Sequence, residues 1–271
     1  MRIGLIADIH GNLVALDAVL ADLERAQVDH VVCLGDVAWG PQPCQTVERL
    51  RALSYPPPPG LRPGVPAPWA QPTRGRRPRG GRTVAAIMGN ADDELFHLPS
   101  ETPTDEGARV TLDIARWCAA QLSPADLDYL RTFHPILELS LGAEHTLLCF
   151  HGSPRSFHDI IRCTTAEDDL AGMLAGFSAT VMAGGHTHEQ MLRRYRETII
   201  VNPGSVGLPF ERGPGADQAR NPPWAEYALV SQESGVLRIE LRRVPIDVGM
   251  IVRAIRASGM PHAELYAQDW R

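Results

Sequence analysis

Five short polar motifs, each placed just behind an apolar run, restrict this chain more than anything else in it. They are Asp8-Ile9-His10, Gly35-Asp36, Gly89-Asn90, His151-Gly152 and Gly185-His186-Thr187-His188. The runs before them are Ile3 to Ala7, Val31 to Leu34, Val84 to Met88, Thr146 to Phe150 and Thr180 to Ala183. All are short and rich in aliphatic or β-branched residues, so they read as buried strands. Polar side chains delivered at strand C-terminal ends are how open α/β sheets build their sites.

The residue types in these motifs define a chemistry. Carboxylate, imidazole and amide oxygen suit Mn²⁺, Fe or Zn²⁺, and no thiolate is offered. Two such ions about 3.5–4 Å apart are a recurrent device for in-line attack on phosphorus. One carboxylate must then lie between them. A lone Asp-x-His or Gly-Asp recurs by chance as a polar turn after a strand, so the weight rests on all five motifs in order.

In that order the motifs resemble the pattern D-x-H, G-D, G-N-x-[DE], H-G and G-H-T-H of the calcineurin-like metallophosphoesterases. The runs Asn202-Pro203-Gly204-Ser205-Val206-Gly207 and His151-Gly152-Ser153-Pro154 are similar to the small prokaryotic, phosphodiesterase-like branch. The resemblance covers nearly the whole chain. It implies two stacked mixed β-sheets flanked by helices, a four-layer αββα sandwich. It also implies two divalent metal ions, with Mn²⁺ expected first and Fe, Zn²⁺ or Ni²⁺ as alternatives. Asp8, His10 and His188 correspond to ligands of the first ion, and Asn90, His151 and His186 to ligands of the second. Asp36 corresponds to the bridge. Asp36, Asn90 and His151 are the implied catalytic group, with a metal-bridging hydroxide as nucleophile on a phosphodiester or phosphomonoester. A non-catalytic interaction or nucleotide-binding protein on the same scaffold, like the retromer subunit that shares it, is the alternative. All seven ligand positions are filled by competent residues, which favours catalysis.

One departure stands out. Fuller patterns have a histidine after Gly-Asn that stabilises the transition state and protonates the leaving oxygen; here the position is Ala91. His158 and His97 are the two remaining histidines placed to reach the substrate side. The others, His30, His134, His145 and His262, lack ligand spacing and read as surface or hydrogen-bonded core residues. Arg155 and Arg212 are candidates to hold phosphate oxygens bidentately.

With 271 residues, 44% of them hydrophobic and 21% charged, the chain can bury a sizeable core. One domain over 1–271 is expected. A strand beginning at Arg2-Ile3 leaves no room for a signal peptide, and no apolar stretch reaches the roughly 18 residues of a membrane span. A cytoplasmic protein acting on a small phosphorylated substrate is the expectation, with no membrane partner and nucleic acid only as a hydrolysed diester. Self-association is left open. Five Cys without a Cys-x-x-Cys argue against a disulfide framework.

Helices to cover the sheets are legible. Asn12 is a cap before Leu13, Leu16, Leu20 and Leu23 at helical spacing. Ser123-Pro124-Ala125-Asp126 is a capping box with Pro in the first turn. It closes a helical pair from Glu106 to Phe133. Thr165 opens a third helix, strands follow at Glu197 to Val201, Tyr227 to Ser231 and Val236 to Leu241, and a helix ends the pattern at Val248 to Ala257.

Tyr55 to Arg82 departs from all this: 28 residues with nine Pro, five Gly, six Arg and no acid. That composition predicts a loop with polyproline II character that the core does not need. The chain's formal charge is −6, so its six arginines leave −12 elsewhere and make it a cationic arm able to attract phosphorylated substrate. A second irregular stretch runs from Pro209 to Pro223.

Overall fold

The computed structural model describes residues 1–53, 61–63, 84–142, 145–212 and 219–270. The chain begins with β1 (Arg2–Ile6), α1 (Leu13–Arg25), β2 (His30–Cys33), α2 (Pro43–Arg51), β3 (Arg62–Pro63) and β4 (Ala85–Ala86). Next come α3 (Asn90–Glu94), α4 (Glu106–Gln121), α5 (Pro124–Leu130), β5 (Leu137–Ser140), β6 (Thr146–Cys149), α6 (Glu167–Met173) and β7 (Val181–Ala183). The remainder is β8 (Met191–Tyr195), β9 (Thr198–Asn202), β10 (Glu211–Arg212), β11 (Ala219–Arg220), β12 (Trp224–Glu233), β13 (Val236–Pro245), α7 (Val248–Ala257) and α8 (Ala263–Gln268).

Among the described residues the strands form two sheets, one ordered β13-β12-β1-β2-β4 and the other β3-β5-β6-β7-β9-β8, beside a small β10-β11 ribbon. β1, β2 and β4 run parallel, as do β6, β7 and β9, and their neighbours are antiparallel. The period of two along each strand sorts the residues into layers. Ile3, Leu5, Val32 and Leu34 point from the first sheet onto Leu137, Leu139, Leu147 and Val201 of the second, which makes the inter-sheet core. Ile6, Val31 and Cys33 face the other way, under Leu16, Leu23, Ile114, Leu130 and Ile255 of the helices. Leu148, Phe150, Met182 and Ile200 face outward from the second sheet, under Leu170 and Leu174. This is the expected helix–sheet–sheet–helix sandwich. Asn12 caps α1 as expected, its Oδ1 accepting from the Ala15 amide at 3.0 Å, and Ser123 and Asp126 close their capping box.

Several local expectations need correction. The run Val84 to Met88 yields only two strand residues, because beyond Ala86 it pairs with His134 through an isolated bridge and the Met88 amide. The third helix begins at Glu167, since Thr165 uses its hydroxyl to accept from the Arg162 amide at 2.8 Å. Within Tyr55 to Arg82, Arg62–Pro63 is not loop but an edge strand on β5, and Leu61 packs on the inter-sheet core. The rest of that arm lies outside the described residues. The stretch Pro209 to Pro223 contains the β10-β11 ribbon, with 213–218 also outside. Among the described residues no helix is long and apolar enough to cross a membrane.

Candidate metal centre

The parallel strands of both sheets end at one edge, and the loops leaving them continue the ladder pairing. Asp8 N donates to Gly35 O at 3.0 Å, His10 N to Asp36 O at 2.9 Å, and Gly185 N to His151 O at 2.9 Å. These bonds set the three loops side by side. Asp8, Asp36 and Asn90 come from the first sheet; His151, His186 and His188 come from the second.

The backbone at this edge is strained. Asp8, His10, Asp36, His186 and His188 all have positive φ, between 46° and 70°. The left-handed region costs a side-chain-bearing residue on the order of 1–2 kcal/mol, and such strain concentrates at functional sites. The alternate twists of Asp8 and His10, and of His186 and His188, turn both side chains of each pair into one space. Gly35, at φ 99°, and Gly89 permit the crowding: a Cβ on Gly89 would lie 2.1 Å from Asp36 Oδ1, and one on Gly35 would lie 2.6 Å from Gly89 N.

All seven residues of the sequence-derived set converge. Asp8, His10, Asp36 and His188 form one buried group whose donor atoms lie within 4.8 Å of one another, and Asp36, His151 and His186 form a second. The groups share a single oxygen, Asp36 Oδ2, which is 3.6 Å from His10 Nε2 and 3.4 Å from His151 Nε2. Asn90 Oδ1 joins the second group 3.0 Å from His151 Nε2.

The arrangement of lone pairs tests whether the group fits a cation. His151 Nδ1 donates to Leu34 O at 2.7 Å and His188 Nδ1 donates to Leu208 O at 2.7 Å. On a neutral ring such a bond turns the Nε2 lone pair into the site, on His151 toward Asp36 and Asn90 oxygens and on His188 toward Asp8 Oδ1 at 3.5 Å. Electron-pair donors facing one another in a buried space fit divalent metal ions. Carbonyl partners on the far ring nitrogen are also how metal-binding imidazoles are oriented.

The electrostatics agree. Burial pushes the Asp36 carboxyl up, but the His151 and His10 rings and the Ala91 amide outweigh it and hold it below the usual carboxylate range. Burial pushes His151 down, yet Asp36 and Asp8 raise it to about 9. Burial and His151 together lower His186 to about 4, and burial drives His188 well below its ordinary value. Burial also drives Asp8 well above its own. The cluster thus draws positive charge to the space between His151 and Asp36.

Around this group lie residues that the sequence motifs contain but to which the sequence assigned no role. Asp92 is fully buried and accepts from the amides of Asp36 at 2.8 Å, Val37 at 2.9 Å and Ala38 at 3.2 Å. Ser205 Oγ donates to Asp8 O at 2.7 Å, Val206 N to Ala7 O at 2.9 Å and Asn202 Nδ2 to Gly185 O at 2.7 Å. The Asn202-to-Gly207 turn is thereby a clamp on two ligand-type loops. Phe210, 42% exposed, stacks on His188 at 4.9 Å, and Trp39 meets the His10 ring edge-on at 5.6 Å.

The candidate substrate arginines fall differently. Arg155 is tied to Asp159 Oδ2 at 2.7 Å and to Gly172 O at 3.1 Å, which occupies the guanidinium away from the cluster. Arg212 enters through its β10 backbone, and its side chain lies outside the described residues. His97, three residues past the end of α3, turns back onto that helix, Nδ1 3.1 Å from Asp93 O. Cys33 and Cys149 are buried with thiols pushed up by burial, as expected of core side chains and not of ligands.

Comparison with known proteins matches this geometry. The family model described as calcineurin-like phosphoesterase matches residues 1–190. The uncharacterized protein MJ0912 of Methanocaldococcus jannaschii is 45% identical over 273 residues, covering 96% of this chain and 93% of the relative. A crystal structure of a metallophosphoesterase from Sphaerobacter thermophilus aligns with a TM-score of 0.67 at 25% identity, covering 100% of this chain and 98% of that one. The hypothetical protein PH1004 from Pyrococcus horikoshii OT3 shares the fold, with a TM-score of 0.70 at 18% identity and coverage of 98% and 96%. Family and cluster together support a metal-dependent phosphoesterase in general terms. On the family match and this relative, the chain belongs to the calcineurin-like phosphoesterases.

Proposed function

We propose that this protein hydrolyses small phosphodiesters or phosphomonoesters at a dinuclear metal centre. Asp8, His10 and His188 would hold one divalent ion, and Asn90, His151 and His186 the other, with Asp36 between them. Manganese is assigned first; iron, zinc and nickel suit the same donors. The observation that carries this reading is the meeting of two donor groups at Asp36 Oδ2. When bound, two such ions supply Lewis acidity to the phosphoryl oxygens and to the attacking water.

The chain's own residues then supply position. Leu34 and Leu208 carbonyls fix two imidazoles. The Ala91 amide holds Asp36 Oδ1 at 2.9 Å, which turns Oδ2 toward both groups. Phe210 offers an apolar ring at the edge of the first group, suited to an aryl or other planar ester substituent. The protein is read as acting in the cytoplasm, with no membrane partner and with nucleic acid only as a hydrolysed diester.

The test is a panel of phosphate mono- and diesters assayed after chelation with Mn²⁺, Mg²⁺, Ni²⁺ or Zn²⁺ restored singly. Turnover that depends on the restored ion is expected. Full activity in chelator would remove the reading, and two ions bound without turnover across the panel would favour a nucleotide-binding role.

A further inference from the structure

A phosphoester whose leaving oxygen is strongly basic departs slowly unless a proton reaches that oxygen as the bond breaks. The side chain beside Asn90 is the methyl group of Ala91, which carries no proton to give. Asp8, Asp36 and the cluster imidazoles are committed to one another or to the ions of the proposed function. His97 is turned onto Asp93, and Arg155 onto Asp159.

The loop after His151 leads to a different candidate. Ser153 and Ser156 pair through their backbones at 2.8 Å and 3.3 Å, and Ser153 Oγ and Arg155 Nε both donate to Asp159 Oδ2 at 2.7 Å. The loop therefore closes on itself. A Cβ on Gly152 would lie 2.6 Å from Phe157 O and 2.7 Å from Asp159 O. The backbone on either side of His158 is thus pressed against the residue next to His151. His158 is exposed, its amide donates to Ser156 Oγ at 3.1 Å, and its ring makes no hydrogen bond among the described residues. The ring lies within electrostatic reach of His186 and of Glu94. Glu94 in turn hydrogen-bonds the Asn90 side chain. A carboxylate bonded to Asn90 thus also lies within electrostatic reach of the His158 imidazole, on the side of the second donor group.

We propose that His158, held beside His151 by the closed 153–159 loop, is the proton donor to the leaving oxygen. The inference rests on the phosphoesterase reading. The step balances as follows: the bond from phosphorus to the leaving oxygen breaks, its electron pair stays on that oxygen, and the imidazolium proton of His158 moves onto it to give an alcohol. Water provides the oxygen of the new bond to phosphorus and releases a proton to solvent, from which neutral His158 is recharged. This donor widens the substrate class from activated aryl esters to alkyl esters.

The experiment uses the metal-loaded protein with methyl phosphodiesters whose leaving groups run from 4-nitrophenol through phenol to methanol. Wild type, His158→Gln and His158→Asn are compared, with His97→Gln as control. The His158 variants are expected to hydrolyse the 4-nitrophenyl ester nearly as fast as wild type while losing about 10²–10⁴-fold in kcat on the phenyl and methyl esters. Their bound-metal content and inhibition by inorganic phosphate should be unchanged. An equal loss on every ester, or loss of bound metal, would make the role structural and overturn the proposal. An unchanged leaving-group dependence in both variants would overturn it while leaving the phosphoesterase reading intact. A wild type inactive on every ester with every ion would refute that reading, and this inference with it.

Discussion

Replacing Asp92 tests the site without touching an ion or substrate. Its Oδ2 accepts from Asp36 N at 2.8 Å and Gly89 N at 3.4 Å, and its Oδ1 from Val37 N at 2.9 Å and Ala38 N at 3.2 Å. An asparagine has the same shape but only one acceptor oxygen. Whichever way its amide turns, one pair of backbone N–H groups faces another donor. A buried, unsatisfied donor costs about 1–3 kcal/mol, so Asp92→Asn is expected to lose about 2–6 kcal/mol. A fold of this kind has about 5–15 kcal/mol in all. Asp92→Ala exposes all four amides to this penalty and should not fold stably.

The stability change is read by urea unfolding in chelator, followed by tryptophan fluorescence, so that bound metal adds nothing to the folded state. Burial and the Asp36 carboxylate push the Asp92 carboxyl up to about 7 against the pull of the Val37 and Ala38 amides, so pH 8 keeps it ionised. The same loop carries Asp36, and loss of such supporting bonds typically weakens metal affinity by about 10–100-fold. A calorimetric titration with Mn²⁺ reads that effect. Asp93→Asn, one residue along and partly exposed, should stay within about 0.5 kcal/mol of wild type. If Asp92→Asn did the same and bound metal normally, the clamp would not be what holds the loop.

Four further outcomes are expected. Asp36→Asn should lower activity more than any change outside the seven clustered residues and should reduce bound metal at both positions, as read by metal analysis after dialysis. Removing 64–82, with Arg62–Pro63 kept for its pairing to β5, should leave circular dichroism and metal content unchanged while raising KM for anionic esters, an effect that fades at high salt. Phe210→Ala should raise KM for aryl esters and leave inhibition by inorganic phosphate unaltered, since the ring stacks on His188 and holds no charge. Burial raises the Glu226 carboxyl from 4.5 to about 7 despite Trp224 and Arg243, so between those values the folded chain keeps a proton the unfolded chain has lost. Stability from this group is therefore full below 4.5 and falls by about 3 kcal/mol as pH rises through 7; Glu226→Gln should flatten that fall in urea unfolding at pH 5 and pH 8.

The donor residues could be read from the sequence because each sits one to five positions beyond an apolar run, where strand geometry fixes its place. Their supporting partners could not. Asp92 fills the acidic position of G-N-x-[DE], but the pattern assigns it no role, and only the folding of Asp36-Val37-Ala38 over it shows its four donors. Arg155 reads as a phosphate contact because it follows His151-Gly152. The signal against this was Asp159, four residues on, at a spacing that a tight loop can close. β5 alternates apolar and polar over Leu137-Glu138-Leu139-Ser140, yet four residues seldom separate a strand from a helix end. β8 hides its pattern behind Arg193 and Arg194; the Arg193 guanidinium is taken up by the Arg162 and Thr165 carbonyls. α8 has six residues and begins at a left-handed His262, which no composition rule would select.

The strained backbone and the clamps explain one another. Five side-chain-bearing residues in the left-handed region cost, at about 1–2 kcal/mol each, a large part of what a fold this size retains. They persist only where the surroundings leave the chain no relaxed alternative. Each strained loop has its own restraint: Ser205 Oγ and Gly207 N on Asp8 O, Asp92 on the Asp36 turn, Asn202 on Gly185 O, and Asp8 itself on the His186 amide at 3.1 Å. Asp8 thus lies between a clamp on its carbonyl and a strained loop held by its carboxylate, which couples the two sheets at the point where their donor groups meet. The Asn202-to-Gly207 turn supplies none of the seven clustered side chains, yet it bonds both the Asp8 and the Gly185 loops. Changes there should disturb the relation between the two groups rather than the composition of either. A site assembled from two sheets needs such a third partner, because neither sheet alone fixes the distance across Asp36 Oδ2.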